Sequence, residues 1–556
     1  MNARQAVAAL SLLIGSTAAA AQEPPHAHDG AGHRLGTVVF PNSGAPAAQA
    51  PFLRGLALIH SFEYTDAAEA FREAQAADPA FALAYWGEAL TRTQLLWGVD
   101  DAPAAREVLA RLAPTAIGRV ARAGSERERA YGAAVEAFYA EAEVSDRARA
   151  FADSLRALAA REPDDLEAAA FASIAIQMAV AAGAFPGDAG DQARAEAAAL
   201  AERVFRANPD HPGAAHYLIH AYDDPVLAPR GLDAARAYAS IAPDAEHALH
   251  MPSHIFVQVG AWPDAAASNE RAWAASRAWV ERRGESPTEL DFHSLEWLQY
   301  AYLQEGRIDL AASLVDSARS VLQGADPTMG AYADARFVVP RLEFARAAHT
   351  GDWEAWRPAD VPEAVTPASA RERSFLRVAA YQAAAGRALA GDPSTAESVA
   401  ARLREQAAGG AAGGAGEFLA LQLEALASGA RGEQDAMLRG LERAATAEEA
   451  LPPVGPPSYL PTHERLGSAL FEAGRPVEAA AAFERALERR PNRSRALLGL
   501  ARALEGAGDH AGATAAYGRL ITNWREADAD LPELEEARAG AGGATSGARS
   551  APSSAP

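Results

Sequence analysis

The chain has 556 residues, 49% of them hydrophobic, and a formal net charge of -22 at pH 7, so it can bury one long core or several ordinary ones. That charge opposes binding to nucleic acid, where affinity comes mainly from clustered cations. Cys and Lys are both absent and all fifty-one basic residues are Arg, which excludes disulfides, thiolate ligands, a cysteine nucleophile, Schiff-base chemistry and the phosphate-binding P-loop lysine.

Residues 1–21 combine Arg4, an apolar run from Ala6 to Gly15 and small residues ending near Ala21, the pattern of a secretory signal peptide. The run is too short to span a bilayer, and no later segment reaches about 18 uninterrupted apolar residues. No membrane insertion is expected, and the chain reads as exported, periplasmic or extracellular, without the cysteine of a lipoprotein. Residues 22–34 carry His26, His28 and His33 among Pro, Gly and Ala and read as a flexible leader outside any site.

From residue 35 onward a repeat emerges. Gly55, Ala67, Phe71, Ala74 and Pro79 stand at intervals of 12, 4, 3 and 5, and Gly467, Ala479, Phe483, Ala486 and Pro491 keep the same intervals. Small residues let paired helices approach, the aromatic fills the space between them, and Pro ends the second helix. Fainter copies share the turn between helices: Gly306, Ala311 and Ala318 match Gly474, Ala479 and Ala486, and Gly260, Ala265 and Ala272 fit as well. In that last copy Asn269 replaces the aromatic, and a buried amide needs a histidine or the backbone as partner.

These residues resemble the tetratricopeptide repeat (TPR) family. The resemblance implies an all-α solenoid of helical hairpins, wound as a right-handed superhelix, over residues 35–537. Segments 101–200 and 325–450 read as divergent helical pairs. The stretch 407–416 reads as a flexible loop, 451–461 as an extended proline-rich connector and 538–556 as a disordered tail.

The histidines follow the same period. Six of the fourteen fall in residues 211–225 and 243–256, and His250 and His254 lie 34 residues after His216 and His220. Each i, i+4 pair projects from one face, so neighbouring helices roughly 8–10 Å apart are expected to present four imidazoles to one volume. By the family resemblance, the second, fifth, ninth, twelfth and thirteenth places of each first helix face a concave groove. This register adds His247, Asp223, Asp224 and His60, and in the next repeat His293, Glu296 and Tyr300. A superhelix of this length is also expected to curl back far enough to bring His463 and Glu464 to the groove.

Imidazole and carboxylate together suit a transition metal ion, with Zn, Cu or Fe the expected cofactor. His216, His220, His250, His254, His247, His293 and His60 are the candidate ligands. Asp223, Asp224, Glu296, Tyr300, Asn269, His463 and Glu464 are the supporting groove residues, some of them able to fix the ring tautomers. Three or four His at about 2.0–2.2 Å suit zinc or copper, whereas two His with a carboxylate leave positions for dioxygen or water. The sequence has no HExxH, GxSxG, Gly-rich phosphate loop or EF-hand spacing.

Two classes of function follow. One is a metal centre in the groove, for binding or as an oxidase- or hydrolase-type enzyme. The other is a scaffold whose groove holds a peptide or protein partner without metal. The segments GLALIHSFEYTDAAEAF, HYLIHAYDDP, HALHMPSHIF and LPTHERLG also resemble an exported bacterial group of such proteins, which implies fold rather than activity.

Overall fold

The computed structural model describes residues 34–326, 335–353, 356, 370–408 and 413–542. The expected signal peptide, leader residues 22–33 and residues 543–556 of the expected tail lie outside them. The described chain is a succession of helices, each packed chiefly against its neighbours in sequence. Among the described residues the only β structure is a two-residue pairing of Thr93–Gln94 with Val99–Asp100. This is the all-α helical-hairpin solenoid that the repeat predicts.

The repeat residues pack as their spacing implies. A Cβ placed on Gly55 would lie 2.9 Å from the Phe71 ring, and one on Gly87 only 2.5 Å. The aromatic therefore fills a notch left by glycines on both sides of it. Phe483 sits the same way between Gly467 and Gly499, at 2.9 and 2.2 Å. One large apolar cluster joins residues between Leu35 and Ala311, with further clusters over 273–342, 344–460 and 425–537.

Both ends return to the middle repeats. The Thr37 amide donates to the Asp210 carbonyl at 2.9 Å, and the Arg34 amide to Asp244 at 2.6 Å, so pairing begins at the last residue expected in the leader. From the other end, Trp262 Nε1 donates to the Asn492 carbonyl at 2.8 Å, and the Ser494 amide to Gln304 at 3.0 Å. Gly260 and Gly306 turn the chain with φ of 69° and 71°, and a side chain on either would strike Asn492 or Ala527.

Two boundaries differ from expectation. Helix Gly413–Ala430 starts inside the stretch read as a loop, because its alanines favour helix and its glycines fall in the first turn. Helix Leu534–Gly542 extends into the expected tail. Leu534 and Ala537 are buried there, and Glu536 accepts bonds from Arg502 and Tyr517. The connector over 451–461 contains no helix until Thr462.

Candidate metal centre

The site is built on three consecutive first helices. Helix Pro212–Ala221 carries His216 and His220 one turn apart, and His211 caps it by accepting the Ala214 amide on Nδ1 at 3.1 Å. The next is split into Glu246–His250 and Pro252–Val259, because Pro252 has no N–H for the helical ladder. His250 and His254 stay on one side across this break, with their Nε2 atoms 3.1 Å apart. His293 stands at the start of Phe292–Gln304, where Asp291 caps the helix.

The four in-register imidazoles do not share one volume. They divide into two triads, His216–His220–His247 and His250–His254–His293, in each of which one ligand atom per residue lies within 4.8 Å of the others. His247 Nε2 is 3.2 Å from His216 Nε2. The triads adjoin, with ring centroids of His247 and His250 6.1 Å apart and those of His220 and His254 6.3 Å apart. His247 and His250 stand on the same short segment, Glu246–His250, yet fall in different triads.

Hydrogen bonds at the far ring nitrogens fix the tautomers. His216 Nδ1–H donates to the His60 carbonyl at 2.7 Å, His250 Nδ1–H to Asn269 Oδ1 at 2.7 Å, and His254 Nδ1–H to Asp223 Oδ2 at 2.7 Å. Asn269 is itself oriented by donating to the Ala265 carbonyl at 2.8 Å. In its neutral form a ring so held presents an Nε2 lone pair inward. Burial, reinforced by the neighbouring histidines, pushes His220 down to about 3 and His250 to about 4, and His216 and His247 well below the ordinary value. Burial opposes the charge on Asp223, but His254 beside it holds the carboxyl below its usual range. The Nε2 of His220 is buried and has no hydrogen-bond partner among the described residues.

Aromatic walls enclose the rings. Phe62 lies 4.3 Å from His216 and stacks on His247 at 5.5 Å, and it does so with φ of 59°, a strained conformation for a bulky residue. Trp297 stacks on His254 at 4.2 Å. The connector runs over this wall: Gly455 abuts Trp297, and Gln258 bridges Asp223 at 2.8 Å to the Pro453 carbonyl at 3.2 Å.

Several expected residues lie elsewhere. The His60 ring belongs to a separate buried cluster, bonded to Glu167 and Tyr217 at 2.8 Å each, with His211 on the other Glu167 oxygen at 3.2 Å. Burial opposes ionisation of Glu167, yet His211 and His60 hold its carboxyl far below the usual range. His60 thus serves the site through its carbonyl. Asp224 caps its own loop at the Val226 and Leu227 amides. Glu296 pairs with Arg341 at 2.8 Å, and Tyr300 accepts from Arg493 at 3.1 Å. Glu464 is bound to Arg493 at 2.6 Å, and His463 to Glu449 at 3.2 Å. In each case an arginine, a backbone amide or a nearer carboxylate claims the side chain first.

Sequence reasoning missed Phe62, His211, Glu167 and Glu63, whose carboxylate accepts the His247 amide at 3.0 Å and is pushed up to about 7 by burial. The histidine in the capping place before Pro212 was a signal for His211. The period gave none for the others.

The helix pairs define a helical-hairpin solenoid with clustered, largely buried histidines in its middle repeats. Residues 470–523 match the family model for the tetratricopeptide repeat, and the chain carries this repeat. No curated protein matches the sequence. Among solved structures, the APC/C hetero-tetramer Cut9-Hcn1 is similar at 11% identity, covering 89% of this chain and 77% of that one, with a TM-score of 0.35. Human IFIT1 dimers are similar at 12% identity with m7Gppp-AAAA and 10% with PPP-AAAA. They cover 85% and 86% of this chain and 90% and 91% of theirs, with TM-scores of 0.30 and 0.31. Likeness at these scores carries no functional argument.

Proposed function

We propose that this protein is an exported tetratricopeptide-repeat scaffold holding a transition-metal centre in its groove, with imidazoles as ligands. One observation carries the reading. At His250 and His254 both Nδ1 atoms face acceptors, on Asn269 and Asp223, so in the neutral rings two Nε2 lone pairs would meet at 3.1 Å. A cation between them removes that repulsion, and neutral imidazole is the form that binds metal. The absence of carboxylate from both triads favours zinc or copper over harder ions. Export rests on the signal-peptide pattern of residues 1–21, and no described helix is long and apolar enough to cross a membrane.

The competing reading, a groove for an extended peptide, is disfavoured beside Trp297, where the connector already covers the wall. Elemental analysis of protein prepared without a polyhistidine tag tests the proposal, beside a His220→Ala/His254→Ala variant. Wild type is expected to retain Zn or Cu in at least stoichiometric amount and the variant to lose it. Equally little metal in both would end the reading.

A further inference from the structure

Resting on that reading, we infer that the centre is dinuclear: one ion in the His216–His220–His247 triad and a second in the His250–His254–His293 triad. Three imidazoles around one ion at about 2.0–2.1 Å place their nitrogens roughly 3.3 Å from one another. The two close Nε2 pairs, 3.2 Å in the first triad and 3.1 Å in the second, each meet that spacing separately. The ligand atoms that lie within 4.8 Å of one another fall into two separate sets of three, and an ion seated in the second triad leaves His216 and His220 turned inward with no cation between them.

The first triad carries its own signs of a ligand. His216 donates from Nδ1 to the His60 carbonyl, which leaves Nε2 as an acceptor facing His247, and the buried Nε2 of His220 has no hydrogen-bond partner among the described residues. The second triad has the facing Nε2 atoms of His250 and His254, their rings held by Asn269 and Asp223. With three protein ligands apiece, each ion keeps a position for water or a small anion. The two triads adjoin, with rings 6.1 and 6.3 Å apart across them.

The test is a titration of the metal-free full chain with Co2+, read by ligand-field absorption and confirmed by equilibrium dialysis with Zn2+. Wild type is expected to take up two equivalents. His220→Ala and His293→Ala are each expected to take up one, with unchanged far-UV circular dichroism. His293 is exposed, so its replacement spares the core even where His220→Ala perturbs folding. Uptake of one equivalent by wild type, abolished in either variant, overturns the second ion and leaves the histidine centre standing. No uptake by wild type overturns both. Two equivalents in wild type and in both variants place the ions elsewhere and overturn the assignment.

Discussion

At His254, the carboxylate of Asp223 lies 2.7 Å from Nδ1 and also receives Gln258 at 2.8 Å. Such a partner fixes the ring and raises its basicity, so Asp223→Asn is expected to weaken metal binding about 10–100-fold. Competition against a chelator of known affinity measures this, and unchanged affinity would show that Asp223 is not orienting a ligand. His349 gives a pH prediction away from the site. Burial first, then Arg495 and Arg493, lowers its proton affinity well below the ordinary 6.5. The folded ring stays neutral while the unfolded one takes up a proton. Its share of stability is therefore complete above pH 6.5 and declines as pH falls below that value, by at most about 1.4 kcal/mol per pH unit. His349→Leu is expected to flatten that decline, read from urea midpoints at about pH 7.5 and 5.5; an unchanged slope contradicts it. At this scale the 34-residue subtraction placed His216, His220, His250 and His254 in one region. It could not assign Glu296, Tyr300 or Glu464, because their arginine partners come from later helices and no short-range pattern records such pairs.

The repeat element was the most legible feature, since Phe71 and Phe483 each occupy a notch between two glycines. A methyl group on Gly499 would fall 2.2 Å from the Phe483 ring. Gly499→Ala is therefore expected to cost about 1–3 kcal/mol despite the better helix propensity of alanine. Chemical denaturation of the purified variant checks this, and a gain in stability would mean that the ring moves aside freely. The grouping of the histidines was less legible: the period aligns His216 with His250 and His220 with His254, but only the packed structure shows His247 joining the first pair and His293 the second. The loop expected over 407–416 is helical at both its ends, to Ala408 and from Gly413, and its residues 409–412 lie outside those described.

For the whole molecule, the return of the C-terminal repeats onto residues 260–304 sets this solenoid apart from an open array, in which each repeat contacts only its neighbours. Arg493 anchors the return: buried, bonded to Glu464 at 2.6 Å and to Tyr300 at 3.1 Å. Arg493→Ala leaves Glu464 buried and unpaired, a change worth about 3–5 kcal/mol. Lost hydrogen-exchange protection is expected both around residue 464 and across 258–304, and loss confined to the C-terminal repeats would contradict a closed architecture. The sequence predicted the curl but not its contacts, which depend on the summed rotation of every intervening repeat.

The central claim is that imidazoles of the middle repeats converge on metal. X-ray absorption spectroscopy of the zinc-loaded, tag-free chain tests it most directly. The account expects a first shell at about 2.0–2.1 Å with the outer-shell scattering of about three imidazole rings per zinc. A spectrum of fully hydrated zinc, or a first shell of carboxylate oxygens without imidazole scattering, would contradict it.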